Sequence, residues 1–508
     1  LAGDGMTTGA TNVAVGTQAL SGVVTGSNNV AVGHTSLEDV TSGHENTAIG
    51  RSSGLQMTEG GENVIVGYQA MQTDTKGHRA VAVGFNALAT QNFTSVTNNY
   101  NVGVGYSAGA AVTSGTQNTL IGGLAGDALT DADFNVALGY QALSGDTLGS
   151  RSIAIGRRSL ATQNFTSATN SYNTAIGYAA GEAVTTGVNN TLVGGDAGDA
   201  ITTGNNNSVV GYSALGANTT GASNTAVGQG SLGANTTASN NTAVGKSALA
   251  ANTTGTRNTA VGSLALDANT TGDDNTVVGQ SAGSTITTGH DNTLIGSYAG
   301  DNITTGGSNT ALGTEALDAT TTASNNTAVG YRAMQLNTTG HSNTAVGKSA
   351  LTANTTGTFN VAVGSTSLDA NTSGSNNNAY GYGALGANTT GIHNNSFGTL
   401  ALADNTTGQN NIGMGTNALR ATTTSDNNTA VGMSALAANT TGTQNTAVGA
   451  FAGDALTTGG ENVAIGMLAL TSEDTGRKNV AIGTQALLTQ NADTDNLNTA
   501  VGYFAGKG

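Results

Sequence analysis

The residues that could do chemistry in this chain are few and fall at scattered places. Gly245-Lys246-Ser247 and Gly347-Lys348-Ser349 imitate the end of a phosphate-binding loop, whose backbone N–H groups and lysine would cradle a nucleotide. Such a loop needs another glycine five residues earlier, and those places hold Asn240 and Ser342, so the cradle is incomplete. No Ser, His and acid can be brought into one register as an acyl-transfer triad, and no carboxylate pair recurs at a spacing suited to acid and base work. Five of the six histidines, His44, His78, His290, His341 and His393, lie eleven or twelve residues after a recurrent glycine. None is paired at metal-ligand spacing, so solvated corner residues are expected rather than a metal site. The chain is therefore expected not to be an enzyme and to carry no cofactor.

Two near-copies carry the other candidate chemistry: Ala89-Thr-Gln-Asn-Phe-Thr-Ser-Val-Thr-Asn-Asn-Tyr100 and Ala161-Thr-Gln-Asn-Phe-Thr-Ser-Ala-Thr-Asn-Ser-Tyr172. A loop leaving a regular scaffold and presenting Phe93 and Tyr100, or Phe165 and Tyr172, could bind a sugar or a protein partner. The plain alternative is a duplicated insertion at a corner, which costs a scaffold little. Tyrosines such as Tyr68, Tyr106, Tyr140, Tyr178 and Tyr212 recur at one place and could line a glycan-binding face or shield a strand edge. The Asn-Thr-Thr triplets at Asn218, Asn235, Asn252 and Asn269 are glycosylation sequons as well as turn formers, and unmodified Asn and Thr ladders are expected there.

What must position these residues is a repeat. Its form is N-T-A-V-G-x-x-A-L-x-A-N-T-T-G-x-x, and the glycine closing N-T-A-V-G serves as position zero. That glycine falls at Gly16, Gly33, Gly50, Gly67 and Gly84, then Gly105, and onward to Gly502, in 29 turns. Of the 28 intervals, 25 are 17 residues, two are 21 (Gly84 to Gly105, Gly156 to Gly177) and the last is 19. Seventeen residues are too few for a helical hairpin and suit one coil of a parallel β-solenoid with glycine-rich corners. The prediction is one continuous all-β array over 1–508, with inserted corner loops at 89–101 and 161–173. At about 4.8 Å per coil, such an array would be a rod of roughly 140 Å.

The residue types within a turn support a packed core. Position -4 is Asn in 27 of 29 turns, the exceptions being Ala80 and Ser152, and stacked asparagines can hydrogen-bond from coil to coil. Position +4 is Leu or Met in 20 turns and Gly in nine. Where it is Gly in a complete turn, position +7 is apolar, as at Met57, Val112, Leu129, Val184, Ile201, Ile286, Ile303 and Leu456. Where it is Leu, +7 is mostly Asn, although Val23 and Val40 depart from this. One apolar site per coil, filled from either position, keeps the core volume constant.

The strand N-T-A-V-G is apolar on both faces. Positions -3 and -1, such as Val13 and Val15 or Ile153 and Ile155, are read as pointing into the coil. Position -2, mostly Ala but Ile65, Leu120, Leu192, Val277 or Leu294 in others, is read as pointing out. A strand apolar on both faces is normally covered on both, so these five residues are expected to face neighbouring chains in a homotrimer.

Bulk properties exclude several functions. Glycine is 77 of 508 residues, charged residues are 9%, and Pro, Cys and Trp are absent, which is far from globular averages. A net charge of -16 repels phosphate backbones, so no nucleic-acid partner is expected. No apolar run approaches the ~20 residues needed to cross a bilayer, so no membrane insertion is expected in this segment. Without cysteine there are no disulfides or thiolate sites, and an oxidising surrounding does no harm. The chain begins and ends within the pattern, which suggests a window on a longer array with its caps elsewhere.

N-T-A-V-G-x-x-A-L resembles the head repeats of bacterial trimeric autotransporter adhesins, where N-S-V-A-I-G-x-x-S turns form a β-roll. The fuller unit, such as Gly330-Tyr-Arg-Ala-Met-Gln-Leu-Asn-Thr-Thr-Gly340, is similar to repeats in bacteriophage tail fibres. The resemblance covers the whole chain through short motifs. It implies left-handed coils, a homotrimer, an extracellular or virion location and attachment to a host surface, with a cell-surface glycan or other receptor as partner. The heptad stalk, neck, membrane barrel and chaperone domain of such proteins have no counterpart in this sequence. Two further alternatives are an ice-binding solenoid, which would display flat outward Thr arrays and against which Thr at -3 counts if that position is interior, and a polysaccharide-degrading tailspike, which would need clustered acids in a groove where the acids here are scattered.

Overall fold

A computed structural model describes residues 1–491, 495 and 497–506. The chain is an all-β parallel solenoid of about 29 coils, about 17 residues each, with no helix among the described residues. It divides into two compact units, Leu1–Arg257 and Asn258–Gly508. Both are built alike. The last interval, Gly483 to Gly502, includes 492–494 and 496, which lie outside the described residues.

Each coil contributes one strand of three residues, as at Val13–Val15 in the first unit and Thr344–Val346 in the second. Successive strands pair in parallel without any shift of register, Val13 with Val30, Ala14 with Ala31 and Val15 with Val32. The zero glycine follows at a corner with positive φ, +143° at Gly33. A Cβ there would lie 2.4 Å from the carbonyl oxygen of Gly50 in the next coil, so only glycine allows this spacing. Two further corner positions, +2 and +4, are left-handed even when they hold side chains, as at Gln18 (59°) and Leu20 (48°). That conformation is unfavourable for Leu in isolation by roughly 1–2 kcal/mol; burial of the side chain offsets it.

The interior is where the strand reading must be corrected. Position -2 is inside: Ile65, Leu120, Leu192, Val277 and Leu294 are fully buried within their own chain and cannot face a neighbour. Positions -3 and -1 are outside, half-buried or exposed along the strands, with Val15 55% exposed. The physical reason is volume. Most coils already bring Ala at +3 and Leu at +4 into the interior, where Ala19 and Leu20 are fully buried. Two branched residues per strand would overfill that space, and one Ala fits it.

The large residues at -2 then have a clear role. Leu120 sits between Gly109 and Gly126, and a Cβ on either glycine would come within 2.7 Å of its δ carbons. Leu192 lies in the same way between Gly181 and Gly198, at 2.6 and 2.9 Å. Where +4 loses its leucine in a complete coil, the space is refilled from +7 and, except at Gly453, also from -2; Val184 and Ile201 at +7 are fully buried. Val23 departs from the pattern because its neighbour Val24 takes the inward place; Val23 is 65% exposed and Val24 is buried.

The other side of the interior is polar. Asn46 donates its Nδ2 to the carbonyl of Gly60 at 2.9 Å, and its Oδ1 accepts the backbone N–H of Asn63 one coil on at 3.2 Å. The +7 asparagines form a second ladder, Asn235 Nδ2 donating to Asn218 Oδ1 at 2.9 Å and to the Ala238 carbonyl at 3.0 Å. The +8 threonines form a third, Thr202 Oγ1 donating to the Thr219 carbonyl at 3.1 Å. Most of these buried amides are paired within their own coil or with an adjacent one, while the Oδ1 atoms of Asn405 and Asn439 are buried without a partner.

Leu192→Ala is expected to lower local stability by about 2–5 kcal/mol, the range for emptying a buried leucine site. Adding Gly198→Leu and Ile201→Asn, which converts the coil to the leucine type, should recover most of that loss. Hydrogen exchange at the strands Thr174–Ile176 to Ser208–Val210 reads both effects, since solenoid stability is local.

Candidate functional site: the outward strand face and the inserted turns

Because -3 and -1 point outward, every coil presents two uncharged side chains on the strand face. In the first unit the -3 column reads Thr174, Thr191, Ser208, Thr225 and Thr242; in the second, Thr259, Thr276, Thr293, Thr310, Thr327 and Thr344. The -1 column beside it is Val, Ile or Leu throughout those coils. Neighbouring coils repeat at about 4.8 Å, so this is a regular, mixed hydroxyl and aliphatic surface without charge. Ile176, Val210, Ile295, Leu312 and Val346 are among its exposed members. No helix of the described residues is long and apolar enough to cross a membrane.

At position +1, beside this face, the first unit carries an aromatic stack. Tyr68 and Phe85 lie 5.2 Å apart and nearly parallel, and Phe85 and Tyr106 lie 5.3 Å apart. Arg51 stands over the Tyr68 ring and Arg157 over Tyr178. Stacking covers ring faces and leaves edges outward, which suits shielding of the strand edge better than a sugar platform.

The inserted turns do not present their phenylalanines. Phe93 and Phe165 are only 6% and 5% exposed, so these two rings, offered as possible binding residues beside the duplicated-insertion reading, are not presented to a partner. Phe165 packs over Gly149, where a Cβ would be 2.7 Å from its ring. Tyr100 and Tyr172 are exposed, and each is held by an arginine. Arg79 donates to the Tyr100 hydroxyl at 2.8 Å while paired with Glu62 at 2.9 Å; this guanidinium holds the Glu62 carboxyl below its usual range. Arg151 lies between the rings of Phe134 and Tyr172, at 4.7 and 5.9 Å. Each insertion also adds a short parallel pairing, Gly77–His78 with Thr97–Asn98 and Gly149–Ser150 with Thr169–Asn170.

What locks these turns is a buried relay. Asp74 accepts N–H groups from Gly77 (3.0 Å) and Phe93 (3.2 Å) and the Nε2 of Gln91 (2.6 Å); Gln91 Oε1 in turn accepts Asn101 Nδ2 at 2.9 Å. The second insertion repeats it through Asp146, Gln163 and Asn173, at 2.6 and 2.8 Å. Glu473, Gln490 and Asn498 form a third, at 3.2 and 3.0 Å, where the last interval lengthens. In all three, the acid stands at +7 one coil before the long interval and the glutamine at +7 of the coil that opens it. That coincidence is visible in the sequence, and it marks where an asparagine ladder must be re-joined across extra residues.

The histidines divide. His78 is 8% exposed and its Nε2 has no partner, so it is not a solvated corner residue; burial pushes its pKa down. Its ring meets His44 at 5.9 Å, edge to face. Among the described residues no group of three or more His, Cys, Asp or Glu stands close enough to hold a metal ion. No family model matches the chain, and no curated protein is significantly similar to it.

Burial raises the Asp74 carboxyl above its ordinary value. A raised folded-state value means the folded turn favours the protonated acid, so stability is greatest below the ordinary carboxylate pKa and falls as pH rises through the raised value. Protection factors for the amides of 92–100 should follow that course. In Asp74→Asn the dependence should vanish, while protection weakens by on the order of 1–3 kcal/mol because an amide donor now faces Gln91.

Proposed function

We propose that this chain is a structural fibre segment that associates as a homotrimer with left-handed coils and serves attachment to a cell surface, in the manner of a phage tail fibre. A cell-anchored bacterial adhesin is the alternative setting for the same role. One observation carries the reading: within each unit, an uncharged strand face that is partly exposed in a single chain and recurs in coil after coil. Covering one outward valine contributes on the order of 1 kcal/mol, and repetition makes the sum decisive. A second copy of the chain matches this face better than an unrelated partner, because only an equal repeat stays in step over many coils. The contact surface is therefore the -3 and -1 columns, in place of the -2 residues expected from the sequence. The net charge of -16 argues against a nucleic-acid partner.

The same face supports a second reading. Threonines at -3 point outward, so the objection that they are interior no longer holds against an ice-binding solenoid. A free, flat Thr and Val array at regular spacing is what ice recognition would use.

Sedimentation equilibrium separates these readings. The fibre reading expects a mass three times the 49.6 kDa of one chain at micromolar concentration. Val329→Lys, Val346→Lys and Val363→Lys together should loosen the trimer while leaving the coil spectrum by circular dichroism unchanged. A stable monomer with thermal hysteresis would overturn the trimer in favour of ice binding.

A further inference from the structure

In the second unit the side away from the strand face holds an open cavity of about 480 Å³, within the usual range for ligand sites. Four successive coils build it. Asp404 comes from the first, Asn417 and Arg420 from the second, Ser434 from the third, and Phe451 and Asp454 from the fourth. The floor is low because the third coil offers only Ala437 and Ala438 between its taller neighbours. The walls therefore stand two coils apart, about 9.6 Å from backbone to backbone.

Those walls differ in kind. Arg420 and Asn417 supply N–H donors on one side, and Asp404 and Asp454 supply carboxylate acceptors. Phe451 supplies a flat apolar surface on the other side. Van der Waals contact at about 4 Å on each face of a saturated ring spans about 8 Å, so one ring fits between the coils. A ligand that offers hydroxyls around its rim, able to donate and to accept, together with an apolar ring face matches all three demands at once. Two carboxylates against one guanidinium, on a chain of net charge -16, disfavour an anionic ligand.

We propose that this cavity is a binding site for an uncharged hexopyranose, with Phe451 stacking on the sugar ring and Asp404, Asp454, Arg420 and Asn417 reading its hydroxyls. The site is complete within one chain and uses none of the -3 and -1 residues. It consequently stands whether or not the chain forms a trimer, and it supplies a ligand class for the attachment role.

The test is saturation-transfer NMR on the full chain with the methyl pyranosides of glucose, galactose, mannose and N-acetylglucosamine, and with sialyllactose. Transfer to at least one neutral pyranoside is expected, with weak, millimolar affinity and none for sialyllactose. Phe451→Ala and, separately, Arg420→Gln should each weaken binding about tenfold, which corresponds to about 1.4 kcal/mol. Tyr212→Ala in the first unit should leave it unchanged. Circular dichroism and the sedimentation mass of each variant separate loss of the site from loss of the fold or of the assembly. No transfer to any of the four pyranosides, equal transfer in both cavity variants, or preference for sialyllactose would overturn the assignment.

Discussion

Every coil depends on the one after it to complete its hydrogen bonds. The Oδ1 of the asparagine at -4 accepts the N–H of its counterpart one coil later, as from Asn63 to Asn46 at 3.2 Å and from Asn224 to Asn207 at 3.0 Å. A buried amide left without such a partner would cost about 1–3 kcal/mol. The ladder therefore fixes both the spacing of coils and their register. The zero glycines follow from it, because at that spacing those with a coil above them, such as Gly33 and Gly330, meet the carbonyl of the next and have no room for a Cβ.

The same constraint explains where irregularity is tolerated. Two of the three long intervals open where the ladder lacks its asparagine, at Ala80 and Ser152, and a buried acid and glutamine re-join it across the gap; the third follows an intact Asn479, whose Oδ1 still accepts the N–H of Asn498. The polar side of the interior thus accepts insertion only with a replacement donor and acceptor. On its apolar side the rule is volume alone. Leucine at +4 can be exchanged for glycine provided that +7 grows, with -2 growing as well in most cases, as at Leu120, Val112 and Leu129; at Gly453 the -2 neighbours stay Ala447 and Ala464 and Leu456 fills the space.

With the interior satisfied in this way, variation is left to the outside. The strand face stays uncharged in coil after coil. The opposite side varies freely, and one stretch between Asp404 and Asp454 has gathered an aromatic ring, two acids and a guanidinium around a shallow floor. A repeat scaffold allows this division, because each coil constrains only its neighbours.

The sequence by itself determined the solenoid, its period, the asparagine columns and the exchange between +4 and +7, because all of these are periodicities or volume compensations that recur in register. It did not determine which way the strand faces. Alternation has a period of two, and when both sets are apolar, a reading shifted by one residue is equally consistent with the pattern. Only the assembled coil decided it, because the space beside Ala19 and Leu20 admits one small residue from each strand and not two branched ones. The burial of Phe93 and Phe165 was also beyond the sequence, since an aromatic in an insertion reads as exposed until the buried relay under it is seen. The cavity was decided in the same way: its residues are spread over four coils, and stacking alone brings them together.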